Sequence, residues 1–434
     1  MIVLSIKNNF SMIELHNHSV SPVLKVFSVL TLIIFLSCSK KNNNGGGNNT
    51  IPPLEAAVTI QANDSKQVIQ GFGCATVFRP SNTSLTTEEL DRLFGTADNQ
   101  VGLNILRIRL ASDTWWRSIE LANAIGAKQR GAIVLATPWS PPVAMKTNNN
   151  LIGGSLKPDS SAAYARYLND FADYMSANGA PVYAVSVQNE PDISVNYESC
   201  DWTAGQMRDF IKNQGALITS TRLMAPESFN NNPTFVNTIL NDDAAAANLD
   251  IVGGHIYGNG ITENLIAKNK GKEVWMTEHL DTLVTYTANL NTAIEIHDCL
   301  TKANFSAYIW WYGKRFYGPI DENGQITKRG YMISQYARFI QPGAVRLGTS
   351  ANSRPEVLIS AYKNTNGKKV IIAINKGGNT VLQKITVSND PISSVKPYTT
   401  STTKNAEAGP VITANNNSFT YLLPAQSITT LIEQ

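Results

Sequence analysis

The sequence predicts an α/β fold: a (β/α)8 TIM barrel with an attached small β-sandwich side domain. Three observations predict it. Short apolar runs alternate with helical patterns eight times between residues 67 and 343. Two of those runs end abruptly in a polar cluster that carries a glutamate, Val182 to Glu190 and Glu273 to Glu278. From about Val345 the texture changes to short β-rich runs between Asn-Gly, Gly-Gly and Asn-Asp turns.

The 434 residues exceed one ordinary core, so a large domain with a smaller one is expected. Lys+Arg 36 against Asp+Glu 33, with no basic stripe, argues against nucleic acid as a partner. Near the N-terminus Lys25 precedes an apolar run, Val26 to Leu36, too short to span a bilayer and shaped like a signal segment. Phe35-Leu36-Ser37-Cys38 resembles a bacterial lipobox. Residues 1–38 are therefore expected to be a signal peptide ending at a lipidated Cys38, which would be the only membrane attachment of a cell-envelope or surface protein; ordinary secretion with cleavage nearby is the alternative. Residues 39–55 are Asn/Gly-rich and read as a flexible tether. Cys74, Cys200 and Cys299 allow one disulfide at most, their spacing is no metal motif, and buried thiols are expected.

Residues 56–66 look like a strand apart from the barrel, pairing with the side domain and making it discontinuous. The barrel, 67–343, has strand candidates Val68–Val77, Leu103–Leu110, Gly131–Thr137, Val182–Asn189, Arg222–Pro226, Ile251–Tyr257, Glu273–Glu278 and Phe305–Tyr312. Continuous apolar runs of this length suit parallel strands buried on both faces. Helical patterns lie between them, such as Thr87–Phe94, Ser160–Ala177 and Thr292–Leu300, with Asp159 and Ser160 as a helix start. Eight strand–helix units match a (β/α)8 barrel of about 250 residues. A doubly wound sheet would carry a Gly-rich phosphate turn after its first strand, for which Gly71-Phe72-Gly73 is too short. Residues 344–434 hold the sandwich, with runs Val357–Tyr362, Lys369–Asn375, Thr380–Val387, Ser418–Leu423 and Ser427–Ile432.

Strands four and seven stand nearly opposite in an eight-stranded ring, and their C-terminal ends are where such barrels do chemistry. Pro191 keeps Glu190 out of a helix and is expected to hold it extended. Glu190 and Glu278 are therefore the candidate pair for cleaving a glycosidic bond, in which one carboxylic acid protonates the leaving oxygen and a second carboxylate attacks or activates water. Arg107, inside the second-strand run Leu106-Arg107-Ile108-Arg109, is expensive to bury unless paired, so a carboxylate partner is expected. Asn189 is placed to bond a sugar hydroxyl. No His-Glu-x-x-His or Cys-pair motif occurs, and neither a metal nor a cofactor is expected.

Gln188-Asn189-Glu190-Pro191-Asp192 and Trp275-Met276-Thr277-Glu278 resemble glycoside hydrolase family 30, and more narrowly its bacterial glucuronoxylanase subfamily 8. The resemblance runs from about Val58 to the C-terminus. It includes Gln67 to Gly73, Pro138-Trp139-Ser140-Pro141-Pro142, Ala225-Pro226-Glu227-Ser228-Phe229, Trp310-Trp311-Tyr312, Arg315-Phe316-Tyr317-Gly318-Pro319, Lys328-Arg329-Gly330-Tyr331 and Leu423-Pro424-Ala425-Gln426-Ser427. It implies retaining, endo-acting hydrolysis of β-1,4-xylan by a monomer, with Glu190 as acid/base and Glu278 as nucleophile. It further implies that Trp139 walls the sugar site, that Tyr257 lies near the nucleophile, and that Tyr308, Trp311 and Arg315 grip a methylglucuronate branch. A guanidinium fork suits that carboxylate. The chain departs from the family where Lys314 precedes Arg315, in the short loop Leu280 to Tyr286, and in Phe78-Arg79-Pro80, which lacks a tryptophan. These departures bear on dependence on the branch, not on the two carboxylates. His279, after the nucleophile position, either tunes the site or is simply packed. Another family 30 specificity, such as unbranched xylan, a β-glucoside or a β-1,6-glucan, is one competing reading. A non-catalytic glycan-binding lipoprotein is the other.

Overall fold

The computed structural model describes residues 54–77, 83–258 and 260–434. The signal segment, Cys38, residues 39–53 of the tether and Phe78-Arg79-Pro80 lie outside them. The described residues open with β1 (Leu54–Ile69), a strand of 16 residues that takes in Leu54 and Glu55, the last two residues assigned to the tether. Eight strands then close a parallel barrel: β2 (Gly71–Ala75), β3 (Ile105–Arg109), β4 (Ile133–Thr137), β5 (Ala184–Ser186), β6 (Arg222–Ser228), β7 (Ile251–His255), β8 (Glu273–Glu278) and β9 (Ala307–Trp310), with β9 pairing back to β2. Around them run α1 (Thr87–Phe94), α2 (Thr114–Lys128), α3 (Ser161–Ala177), α4 (Ala204–Gln214), α5 (Pro233–Leu240), α6 (Asp243–Asn248), α7 (Leu265–Asn269), α8 (Tyr286–Thr301) and α9 (Lys328–Ala337).

The expected first barrel strand, Val68–Val77, is two strands. Gly71 breaks it at φ +143°, a region that disfavours side chains. A Cβ there would strike the Asn104 amide, which bonds Phe72 N at 2.8 Å and Gln70 O at 3.0 Å. The residues before the break, Val68 and Ile69, therefore belong to β1 and pair with Val345 and Ala344. Thr86 and Glu89 form a reciprocal capping box on α1, whereas the expected start at Ser160 precedes α3 without a side-chain capping bond.

The barrel interior is filled by Ile105, Leu135, Ala184, Met224, Ile251, Trp275, Ala307 and Ile309, so the barrel is a packed core rather than a pore. The second sheet adds β10 (Ala344–Thr349), β11 (Val357–Lys363), β12 (Lys369–Asn375), β13 (Val381–Ser388), β14 (Ser394–Thr400), β15 (Glu407–Ala408), β16 (Ile412–Thr413), β17 (Ser418–Leu423) and β18 (Ser427–Glu433). β1 lies inside this sheet, antiparallel to β10 and parallel to β13. Strands Ala344–Thr349 and Ser394–Thr400 were absent from the sequence reading; Arg346, Lys396 and Pro397 interrupt their apolar pattern.

Alternation along β12 shows how the two parts join. Ile371 and Ala373 face the sandwich core with Val58, Ile385 and Leu431, whereas Val370, Ile372 and Ile374 join the barrel's helical layer. Fully buried Gln335 on α9 ties the seam. Its Nε2 donates to Thr400 Oγ1 at 2.8 Å, and its Oε1 accepts from Thr430 N at 3.0 Å. The sandwich thus braces the barrel from the side. A cleft of about 1040 Å³ opens at the N-terminal end of the barrel strands; there Lys66 pairs with Asp64, Lys268 pairs with Glu263, and Arg346 donates to Gln67 Oε1 and Asn304 Oδ1.

Replacing Gln335 by Leu keeps the volume and leaves the buried Thr430 N–H unbonded. The expected outcome is a loss of about 1–3 kcal/mol, read as a lower thermal midpoint with unchanged turnover.

Candidate active site

One guanidinium organises the C-terminal rim. Arg107, on β3, is fully buried. Its Nη1 donates to Glu278 Oε2 at 2.6 Å, and its Nη2 donates to Asn189 Oδ1 at 2.8 Å and lies 3.3 Å from Glu227 Oε1. Its Nε donates to Thr137 Oγ1 at 3.3 Å, and Thr137 donates onward to Glu227 Oε2 at 2.9 Å. The carboxylate partner expected for Arg107 is thus present, with Glu227 as a second.

Glu278 closes β8, and Glu190 sits four residues beyond β5. Glu190 is not extended as expected but left-handed, at φ +45°. Pro191 excludes the right-handed helix, yet the chain must turn the carboxylate inward while Glu190 N donates to Glu227 O at 3.0 Å. Such a backbone costs a non-glycine residue about 1–3 kcal/mol. Glu227 shares it at φ +51°.

Glu190 Oε1 lies 3.1 Å from His255 Nδ1, and Oε2 accepts from the Tyr197 hydroxyl at 2.6 Å. Glu278 Oε1 accepts from the Tyr257 hydroxyl at 2.8 Å. Ligand atoms of Glu190, His255 and Glu278 all fall within 4.8 Å of one another. That spacing is close to the roughly 5–5.5 Å between carboxyls in retaining glycosidases and well short of the roughly 6.5–9.5 Å of inverting ones. The trio has the composition of a cation site, but both Glu278 oxygens already accept hydrogen bonds and the Arg107 charge stands beside them.

Burial pushes the Glu190 carboxyl up, but His255, the Tyr197 hydroxyl and Arg107 together hold it below the usual range. Burial also raises Glu278, and His255 and Arg107 only partly offset it, while the charge of Glu190 adds to the rise. Glu227 is held down: burial opposes its charge, and Arg107 and His255 outweigh burial. Burial disfavours charge on His255, but Glu278 and Glu190 push the imidazole up. In the free cleft Glu190 is thus pushed down and Glu278 up, the opposite order from the one the acid step needs. The two carboxyls titrate as a pair, and the imidazole of His255 acts on both.

Trp139 and Trp311 stand 5.8 Å apart, tilted at 43°, with the Arg107 guanidinium over both rings, 4.8 Å from Trp139. Arg315 packs its guanidinium 5.8 Å from the Tyr312 ring and bonds Tyr317; it has no carboxylate within ion-pair distance among the described residues. Tyr308 requires correction. It is fully buried, and its hydroxyl donates to Glu295 at 2.6 Å, so it cannot grip a branch. As the second residue of β9 it points into the barrel's helical layer. His279 is packed and shares Glu295 with it at 2.9 Å. The three cysteines are buried and free. Glu227, His255 and Tyr197 escaped the sequence reading as site residues. Glu227 carries the same signal as the chosen pair, a strand ending in glutamate; His255 stood unremarked two residues before Tyr257; Tyr197 has no signal in a loop.

Sequence models for the "Glycosyl hydrolase family 30 TIM-barrel domain" and the "Glycosyl hydrolase family 30 beta sandwich domain" match residues 83–285 and 343–431. The chain is 38% identical over 392 residues to the glucuronoxylanase XynC of Bacillus subtilis, covering 86% of this chain and 91% of that one. The family 30 subfamily 8 xylanase Xyn30A of Clostridium acetobutylicum superposes with a TM-score of 0.82 at 40% identity, covering 87% of this chain and 99% of that one. A family 30 endoxylanase of Clostridium papyrosolvens gives 0.80 at 38% identity, covering 87% and 100%.

Arg107→Met would leave Glu227 and Glu278 without their guanidinium. Breaking a buried pair costs about 3–5 kcal/mol. Because the folded pKa of Glu227 is depressed, its contribution is present above the unfolded value and lost as pH falls through the folded one. The melting-temperature gap between wild type and variant is therefore expected to be largest near neutrality and to narrow on acidification.

Proposed function

The chain belongs to glycoside hydrolase family 30, and from that premise we propose that it is a retaining endo-β-1,4-xylanase acting on methylglucuronoxylan. The observation that carries the reading is the approach of Glu190 and Glu278 to within 4.8 Å at the rim of one barrel, with Arg107 held against the latter.

In the first step the Glu278 carboxylate attacks the anomeric carbon of a xylose. The bond to the leaving sugar breaks, and Glu190 gives its proton to the departing oxygen. The charge on Glu278 favours a protonated Glu190 beforehand. Ester formation removes that charge, so Glu190 becomes the stronger acid and stands ionised, ready to take the proton of the water that hydrolyses the ester. Arg107 and Tyr257 orient the nucleophile. Asn189 keeps its amide nitrogen for a sugar hydroxyl, since its oxygen is held by Arg107. Trp139 and Trp311 wall the ring.

Arg315, with no acidic partner, supplies the fork for a glucuronate carboxylate, and Trp311 and Tyr312 stand beside it. The loop after Glu278 is pinned short: buried Arg329 donates to Asp281 O at 2.5 Å and Leu283 O at 2.6 Å. The branch is therefore gripped from the β9 side, and it guides cleavage more than it licenses it. A lipid-anchored placement on the cell envelope is supported by the Leu36-Ser37-Cys38 segment and the tether behind it.

Three variants test these readings. Glu278→Gln is expected to abolish turnover, by roughly 10³-fold or more, while still binding xylan. Arg315→Ala is expected to lower kcat/KM on methylglucuronoxylan by about 10–100-fold, the worth of one charge-assisted contact, and to scatter product masses that in wild type keep one spacing from the branch. Equal cutting of branched and unbranched xylan by wild type would sink the branch assignment. For the anchor, Cys38→Ala expressed in a lipoprotein-processing bacterium should lose radiolabelled fatty acid and leave the membrane fraction; label retained on the variant would refute it.

A further inference from the structure

We propose that Tyr197 is a positioning residue for the acid/base carboxyl: a loop clamped at both ends aims its hydroxyl at Glu190 and sets that group's orientation and proton affinity. The inference rests on the reading of Glu190 as acid/base.

Tyr197 lies between β5 and α4 and is 44% exposed, yet its hydroxyl donates to Glu190 Oε2 at 2.6 Å. An exposed tyrosine on an ordinary loop would have no reason to hold that contact. This loop is built to hold it. At its start, the Asp192 carboxylate accepts from Phe229 N at 2.9 Å and Asn232 Nδ2 at 3.1 Å. Directly after Tyr197, Glu198 pairs with Arg109, and both are nearly excluded from solvent. Ser199 O accepts from the ammonium of Lys146 at 2.5 Å. That lysine is itself fully buried and also donates to Ser140 Oγ at 2.9 Å and Leu151 O at 3.0 Å. At the far end Trp202 N donates to Pro191 O at 2.9 Å, closing the loop onto the residue next to Glu190.

A buried ammonium and a buried ion pair are costly devices. Placing both on the two residues after Tyr197 fixes the backbone that carries its exposed side chain. The two oxygens of Glu190 are then held from opposite sides, Oε1 by the buried imidazole of His255 and Oε2 by the phenol at the cleft lip. Arg107 and Glu278 are the other charged groups that act on Glu190 across the rim, the latter titrating with it. A donor to a carboxylate favours its ionised form, so the phenol lowers the proton affinity of the acid. Removing the hydroxyl raises it.

The sign is therefore fixed. In Tyr197→Phe the alkaline limb of kcat/KM should move up by about one pH unit, the scale of one hydrogen bond to a charged group. The ring keeps its place, so the melting temperature should match wild type. The assay is the pH profile of kcat/KM on an unbranched xylo-oligosaccharide, which takes Arg315 out of the comparison. Glu190→Gln is measured alongside and should lose about 10²–10⁴-fold. An alkaline limb that stays in place in the phenylalanine variant, with Glu190→Gln inactive, overturns the role of Tyr197 and leaves the acid/base reading intact. Full activity in Glu190→Gln overturns both.

Discussion

A single positive group in a dry setting is the constraint on which the rest of the rim depends. Arg107 is cut off from bulk solvent, and three glutamates act on it from the ends of strands β5, β6 and β8. Each needs the guanidinium or an imidazole to stay ionised, and the guanidinium needs them. Charge balance thus does what shape alone would not: it fixes where four strands end relative to one another. The imidazole of His255, pushed up by Glu278 and Glu190 against its burial, lies 3.1 Å from Glu190 and 3.9 Å from Glu278 Oε2. The left-handed backbones of Glu190 and Glu227 are the local cost of steering two carboxyls into so small a volume.

The barrel makes this possible because its strands run parallel and close on themselves, delivering all their C-terminal ends to one face. The sandwich contributes stiffness rather than chemistry. α8 and α9 pack between the two sheets through Gln335, Tyr336 and the barrel-facing side chains of β12. Arg329, on α9, then reaches the loop that follows Glu278. The side domain is therefore linked to the rim through one helix.

Much of the architecture was legible because it rests on pattern. Apolar runs of strand length, the switch to period-two texture near Val345, and the cap at Thr86 are local signals that tertiary packing reinforces. The paired glutamates were legible because barrels put chemistry at strand ends. What stayed hidden was relational. Tyr308 and Trp311 lie in one short motif, yet one faces the helical layer and the other the cleft, and only the closed barrel decides which. Glu190 before Pro191 reads as extended, and only the hydrogen bond to Glu227 O turns it. Tyr197 is an ordinary loop residue until Lys146, 51 positions upstream, is seen beneath it.

The strand Leu54–Ile69 carries a consequence for how the molecule comes into being. Its neighbours, Ala344–Thr349 and Val381–Ser388, are made only after the last barrel strand, Ala307–Trp310. The strand must therefore wait, without those neighbours, while the entire barrel is made. Closing that distance is slow, and an unpaired strand is sticky in the meantime. Polar side chains fill its middle, Gln61 to Gln67, where a run of greasy ones would invite the wrong companion. Completion of the sheet therefore doubles as a stitch that draws the stretch made before the barrel to the stretch made after it.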